Sequence, residues 1–247
     1  MAYDPAFHAI AARPDTKLQP EEPAVSLWRT TDAPALMRRI QSVAGQPSGR
    51  PAVIAVDGRS GSGKTTLASR LLALLPLAHV LRIDDLDWNE PLYQWDHLLV
   101  DALTRLRATG ALDFTPPAWP AHGRTGSIII PADTPLVLVE GTGAGMRAVT
   151  ELIDAHVWVQ TDDSIAEERG IARDILDGIN GDESESVRFW NWWMAAERPF
   201  FAADRPWERA DVVVSGEHLP GLRPEEIAWT PGPLAVPAQG PAALPGQ

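Results

Sequence analysis

The stretch Ala52-Val53-Ile54-Ala55-Val56-Asp57-Gly58-Arg59-Ser60-Gly61-Ser62-Gly63-Lys64-Thr65-Thr66 decides how the rest of the chain is read. Ala52–Asp57 is almost wholly apolar, the pattern of a short strand buried on both faces of a parallel sheet. Gly58 to Thr65 then fits G-x-x-x-x-G-K-[ST] at every fixed position. Glycines let backbone amides turn inward around a polyphosphate without Cβ clashes. The helix that follows, read from Lys64 to about Leu75 and stopped by Pro76, presents free N–H groups and the positive end of its dipole. Lys64 is placed to reach the β- and γ-phosphates, and Thr65 to offer its hydroxyl to Mg²⁺. Gly58, Ser60, Gly61, Ser62, Gly63, Lys64, Thr65 and Thr66 are therefore the expected nucleotide-binding residues, with ATP and Mg²⁺ the expected cofactors.

Outward from this loop, strand-like and helix-like segments alternate. Asp32 suits a helix cap with Pro34 in the first turn, ahead of Leu36, Met37, Ile40 and Val43. Further strands are read at His79–Ile83, Leu136–Glu140, His156–Val159 and Asp211–Val214, and further helices at Asp96–Ala108, Ser164–Leu176 and Ser186–Ala203. Buried strands alternating with helices predict an α/β fold, a doubly wound parallel sheet of about five strands with helices on both faces. Fourteen of the 23 prolines fall in residues 1–51 and 217–247. Accordingly, residues 1–24 are expected to be a flexible extension, 25–216 the folded unit with a lid at about 169–188, and 217–247 a Pro-rich tail.

Composition bounds the function. With 247 residues, 45% hydrophobic and 22% charged, the chain is expected to be a soluble globular protein. No apolar run approaches a membrane span or a signal peptide, so no membrane partner is expected and a cytoplasmic location is the default. The absence of cysteine excludes disulfides, thiolate zinc and cysteine nucleophiles. A net charge of −12 argues against nucleic acid as a partner. A homo-oligomer is left open.

The remaining candidates lie where strands end, because ligands of open α/β sheets gather beyond the carboxyl ends of the strands. The second strand of the α/β core ends in Ile83-Asp84-Asp85-Leu86-Asp87. A carboxylate there can take the proton from a hydroxyl attacking a γ-phosphate, and Asp84 is chosen as that base. Asp85 is assigned to Mg²⁺ through water and to the acceptor side. Glu140, ending the third strand of that core, is expected at Mg²⁺ or its water. Arg169 and Arg173 share one helix face and are expected to stabilise charge on the transferring phosphoryl group; the alternative is pairing with nearby acids on a solvated helix. Lys64, Asp84, Arg169 and Arg173 thus form the expected catalytic set. Trp190, Trp192 and Trp193 read as packing rather than a stacking platform, since ten of the 17 aromatics are Trp.

Taken in order, these motifs resemble the uridine–cytidine kinase group of small-molecule P-loop kinases, over about residues 52–216. The resemblance rests on Asp57–Ala68 (DGRSGSGKTTLA), Asp84, Trp95-Asp96-His97, Ala121-His122-Gly123-Arg124, Glu140-Gly141, Thr161-Asp162 through Arg173-Asp174, and Ala210–Val214. It implies that Asp96 holds ribose hydroxyls, that His122 and Arg124 line a nucleoside pocket, and that Ala210–Val214 runs beside the adenine site. The lid stretch Ile175–Asp182 carries none of the further arginines that the group has there. The expected activity is ATP-dependent phosphorylation of a hydroxyl on a small polar metabolite, with a nucleoside as first candidate. A kinase for another hydroxyl acceptor and a nucleotide-dependent switch protein are the alternatives.

Overall fold

The computed structural model describes residues 8–178 and 180–234. Its strands are β1 (Ala9–Ala11), β2 (Leu27–Asp32), β3 (Ala52–Gly58), β4 (His79–Arg82), β5 (Leu112–Phe114), β6 (Ile128–Ile130), β7 (Leu136–Glu140), β8 (Ala155–Gln160), β9 (Val212–Ser215) and β10 (Glu226–Pro231). The helices are α1 (Ala33–Ala44), α2 (Lys64–Leu72), α3 (Ile83–Leu86), α4 (Asp96–Thr109), α5 (Ala118–Ala121), α6 (Asp163–Asp177) and α7 (Glu183–Asp204).

All seven residues of β3 are buried, and the strand sits between β8 and β7. The main sheet runs β1-β2-β10-β9-β8-β3-β7-β4. The five strands β9-β8-β3-β7-β4 pair in parallel. Side chains alternate across the pleat. Val53 and Ala55 of β3 join Leu98, Leu99 and Leu103 of α4 in one core layer. Ile54 and Val56 join Leu36 and Ile40 of α1 and Leu67 and Leu71 of α2 in the opposite layer. The doubly wound reading holds, and the layering places the β3–α2 turn at the carboxyl edge of the sheet.

Five strands were not anticipated: β5 and β6, which pair antiparallel in a small separate sheet, and three strands of the main sheet. β10 pairs antiparallel with β9, β2 with β10, and β1 with β2. Residues 8–24 are accordingly not a loose extension. Asp162 Oδ2 accepts from the Lys17 N–H at 2.7 Å, and the buried Glu22 carboxylate accepts from Trp158 Nε1 at 2.8 Å and Gln160 Nε2 at 3.0 Å. The folded unit likewise runs past residue 216 to β10, whose Ile227 and Trp229 are buried in the core. Proline density concealed these strands because most of the prolines sit beside them rather than in them. The tail beyond residue 234 lies outside the described residues.

The local signals set the helix ends. Asp32 Oδ1 accepts from the Ala35 N–H at 2.7 Å, capping α1. α7 begins with a reciprocal box, Asp182 receiving the Glu185 N–H while the Glu185 carboxylate receives the Asp182 N–H. α2 ends at Leu72 rather than Leu75. Its last turn tightens, with Leu74 N bonding Leu71 O and Leu75 N bonding Leu72 O, before Pro76 stops it. α6 and α7 meet where Gly170 leaves room for an indole: a Cβ there would lie 2.0 Å from Trp190 Cζ3. Trp190 is therefore a packing residue, while Trp192 stays exposed on the opposite side of the helix.

Candidate active site

The β3–α2 turn forms one wall of a cavity of about 730 Å³. Gly63, with φ +96°, starts α2 in a left-handed conformation that aims the first helical amides at this space. Gly61 passes so close to α6 that a Cβ on it would lie 2.1 Å from the Ala166 carbonyl oxygen. The glycines thus serve both the turn and the contact with the helix carrying Arg169 and Arg173. Ser60, Gly61, Gly63, Lys64, Thr65 and Thr66 line the cavity, together with Asp84, Glu140, Arg169 and Arg173. Gly58 and Ser62 lie behind this surface and shape the loop; Ser62 is fully buried.

Lys64 is buried, and its ammonium donates to the Arg59 carbonyl at 2.9 Å and to Thr142 Oγ1 at 3.2 Å. Burial pulls its pKa below the usual lysine value, while the charges of Glu197, Glu140, Asp57 and Asp84 push it back up. Thr65 Oγ1 donates to Glu140 Oε1 at 2.9 Å, and the other Glu140 oxygen accepts from Arg82 at 3.1 Å. A hydroxyl and a carboxylate oxygen this close suit a hard divalent cation that takes the rest of its shell from phosphate and water. Among the described residues no group of three or more His, Asp or Glu side chains forms a metal cage.

Asp84 lies on the first turn of α3 and faces the cavity with an exposed carboxylate. Asp87, one turn on, also lines it, and its pKa is raised to about 7 by burial and then by the charges of Asp84 and Asp85. Arg173 donates to Asp174, so part of its charge is already partnered on its own helix. Arg169 donates to the Gly216 carbonyl at 2.7 Å, which carries its guanidinium across the loop toward β9.

The acceptor-side expectations fare differently. Asp85, Asp96, His122 and Arg124 do not line the cavity. Arg124 donates to Asp85 Oδ1 at 2.5 Å, and its guanidinium lies 3.6 Å from the centre of the Trp119 ring. That charge-assisted pair commits Asp85 to arginine, not to Mg²⁺. His122 sits edge-on to Trp88, with ring centres 6.1 Å apart. Asp96 opens α4 with its side chain exposed beside His97. Asp85, His122 and Arg124 thus assemble with one another around Trp88, and it is Trp88 that faces the cavity.

Two functional-looking carboxylates escaped the sequence reading. Asp57 is fully buried beneath the loop and accepts from three amides: Gly58 at 2.7 Å, Gly143 at 2.8 Å and Gly145 at 2.9 Å. It ties the phosphate loop to the turn after Glu140. Burial raises its pKa to about 6, against the opposing pull of those amides. His156 lies 3.8 Å from it, with a pKa lowered by burial to about 3, so the imidazole is neutral there. The second is Glu197 on α7, which accepts from the Ser60 N–H and hydroxyl. The signal for Glu197 lies in the spacing: Trp190, Met194 and Phe201 make an apolar stripe at helical spacing, and Glu197 interrupts it.

A second cavity, of about 410 Å³, adjoins the first and shares Gly63, Thr66 and Arg169 with it. Its far wall is made by Val214–His218, running from the end of β9 into the loop beyond, and by Ile227 and Ala228 of β10. No helix among the described residues is long and apolar enough to cross a membrane.

Comparison with known proteins agrees with the motifs. The uridine kinase of Lactobacillus johnsonii is 28% identical over 188 residues, covering 68% of this chain and 87% of that protein. The uridine kinase of Limosilactobacillus reuteri is 27% identical over 150 residues, covering 53% and 69%. A solved structure from Silicibacter sp. bearing the name "putative fructose transport system kinase" superposes with a TM-score of 0.50 at 17% identity, over 71% of this chain and 94% of that one, and speaks for the fold alone. No protein-family model matches the chain. The uridine–cytidine kinase resemblance carried by the motifs and the P-loop kinase fold therefore stand.

Proposed function

We propose that this protein is an ATP-dependent phosphotransferase that phosphorylates a hydroxyl of a small polar metabolite, with a nucleoside as first candidate. The observation that carries this reading is one cavity bounded by Ser60–Thr66 on one wall and the exposed Asp84 carboxylate on another. The kinship with uridine kinases supports it. The loop would hold the nucleotide's phosphates, and the adjoining cavity between Arg169 and the β9–β10 connection would take its base.

Transfer needs little covalent chemistry from the protein. The acceptor oxygen attacks the γ-phosphorus as the bond to the leaving ADP oxygen breaks. Asp84 takes the hydroxyl proton, so that no cationic oxygen accumulates. Lys64, Arg169 and Arg173 supply positive charge to the equatorial oxygens in a recessed site, where it acts more strongly than in water. Thr65 and Glu140 would hold Mg²⁺, which supplies charge neutralisation at the phosphates when bound.

A second reading differs only in the acceptor. The residues implied to bind a nucleoside, Asp96, His122 and Arg124, stand back from the cavity, whereas Trp88, Phe189 and Trp193 face it. This favours an acceptor with an apolar or planar portion and does not require a ribose. The test of both is ATP consumption by the purified full chain with Mg²⁺, across a panel of nucleosides and other hydroxylated metabolites. Stimulation by one acceptor class supports the phosphotransferase. Turnover that no acceptor raises above the rate in water overturns it.

A further inference from the structure

Glu197 is a carboxylate with no exposed surface, placed on the buried stripe of α7 where spacing calls for an apolar side chain. A charge at such a position is costly unless every lone pair finds a donor. Here the donors come from three separate parts of the chain. Oε2 accepts from the Ser60 hydroxyl at 2.6 Å and the Ser60 N–H at 3.1 Å, from Trp193 Nε1 at 3.1 Å, and from the Tyr93 hydroxyl at 3.2 Å. Ser60 belongs to the phosphate loop and Trp193 to the aromatic wall, and both line the main cavity, while Glu197 sits behind them. Glu197 is also the largest favourable charge acting on the buried Lys64 and Arg59.

Resting on the phosphotransferase reading, we propose that Glu197 is a positioning residue that couples the phosphate loop to the aromatic wall of the acceptor space. A phosphate seated against the loop fixes Ser60, and through one carboxylate oxygen it fixes the Trp193 indole that the acceptor meets. Donor binding thereby shapes the acceptor side before the acceptor arrives. The geometry separates position from charge. Glu197→Gln keeps an oxygen where Oε2 stands and loses the charge. Glu197→Asp keeps the charge but is one methylene too short to reach Ser60 and Trp193 together.

The full chain labelled with 5-fluorotryptophan tests this, with the Trp193 resonance assigned from its loss in Trp193→Phe and Mg·AMP-PNP as the nucleotide probe. The wild-type Trp193 resonance is expected to shift on nucleotide binding. In Glu197→Gln the shift persists. In Glu197→Asp it falls by about half or more while affinity for Mg·AMP-PNP changes by less than about tenfold, and the other tryptophan resonances report an intact fold. A full shift in Glu197→Asp, or its loss in Glu197→Gln alone, overturns the positioning role. Wild type that binds the nucleotide without moving Trp193 overturns the coupling and leaves the phosphotransferase reading standing. Wild type that fails to bind overturns both.

Discussion

The two walls of the cavity are built on different terms. The donor wall is assembled from one contiguous segment: loop, helix start and the carboxylate beneath it, with Lys64, Thr65 and Asp57 all within a span of nine residues. Its geometry follows from the strand–loop–helix turn, and the three amides on Asp57 lock it to the turn after Glu140. The acceptor wall draws on α3, the segment between α3 and α4, and α7, so its make-up depends on how those elements pack. Local sequence specifies the first kind of wall, whereas the second kind is a product of tertiary contacts. Of the residues that the motifs and the resemblance single out, Ser60, Gly61 and Gly63–Thr66 line the cavity on one wall and Asp84 on the other, whereas Asp96, His122 and Arg124 stand back from it.

The sharpest way to break this comparison is Lys64→Ala. It is expected to lower turnover by about 10³-fold or more, because on the proposed reading it removes the buried ammonium that meets the phosphates. The check is ATP consumption with the best acceptor, alongside circular dichroism to confirm the fold. Next, Asp84→Asn is expected to cut turnover by about 10² to 10³-fold while leaving nucleotide affinity near wild type, measured by calorimetry with Mg·AMP-PNP. Near-normal turnover would remove Asp84 as the base. Arg173→Ala should cost about tenfold to a hundredfold in turnover, less than a fully buried cation, because its guanidinium is exposed and shared with Asp174.

A smaller effect tests the electrostatics beside Asp84. The folded-state pKa of Asp87 is raised to about 7, so its folded form binds a proton that the unfolded chain has lost above its ordinary value near 3.8. Its contribution to stability is therefore present in acid and fades as pH rises toward about 7. Asp87→Asn should relieve that penalty, raising unfolding stability at pH 8 by about 1 to 2 kcal/mol relative to pH 5, after allowance for partial solvent screening. Thermal melts at the two pH values measure it, and equal differences at both would dismiss the shift.

The smallest expected effect sharpens the comparison most. His122→Ala and Asp96→Asn should change turnover by no more than about threefold, since neither side chain lines the cavity. A loss beyond tenfold in both would mean that the acceptor wall assembles around Trp88 only when the acceptor binds.

Much of the fold was legible because two periodicities are local. Apolar runs such as Ala52–Val56 and Leu136–Val139 mark strands buried on both faces, and the five parallel strands follow from them. Within the main sheet, β1, β2 and β10 were not legible. They lie at the antiparallel side of the sheet, where strands alternate exposed and buried residues or sit among prolines, and their pairing partners are distant in the chain. The roles expected of Arg124 and Asp85 met the same obstacle. Each had suitable chemistry, but a partner 39 residues away claimed it.

By itself the sequence determined the strand–loop–helix turn, the placement of Lys64 and Thr65 at a helix start and of Asp84 just past a strand, and the layering of a doubly wound sheet. These rest on short-range sterics, glycine placement and apolar spacing, which act within a few residues. Only the tertiary structure decided that Trp88 rather than His122 faces the cavity, that residues 8–24 are stitched to β8 and α6, and that Glu197 reaches the phosphate loop across 137 residues of chain. Those outcomes depend on which buried donors meet which acceptors once the helices pack, a competition settled by geometry between distant segments and not by the residues on either side.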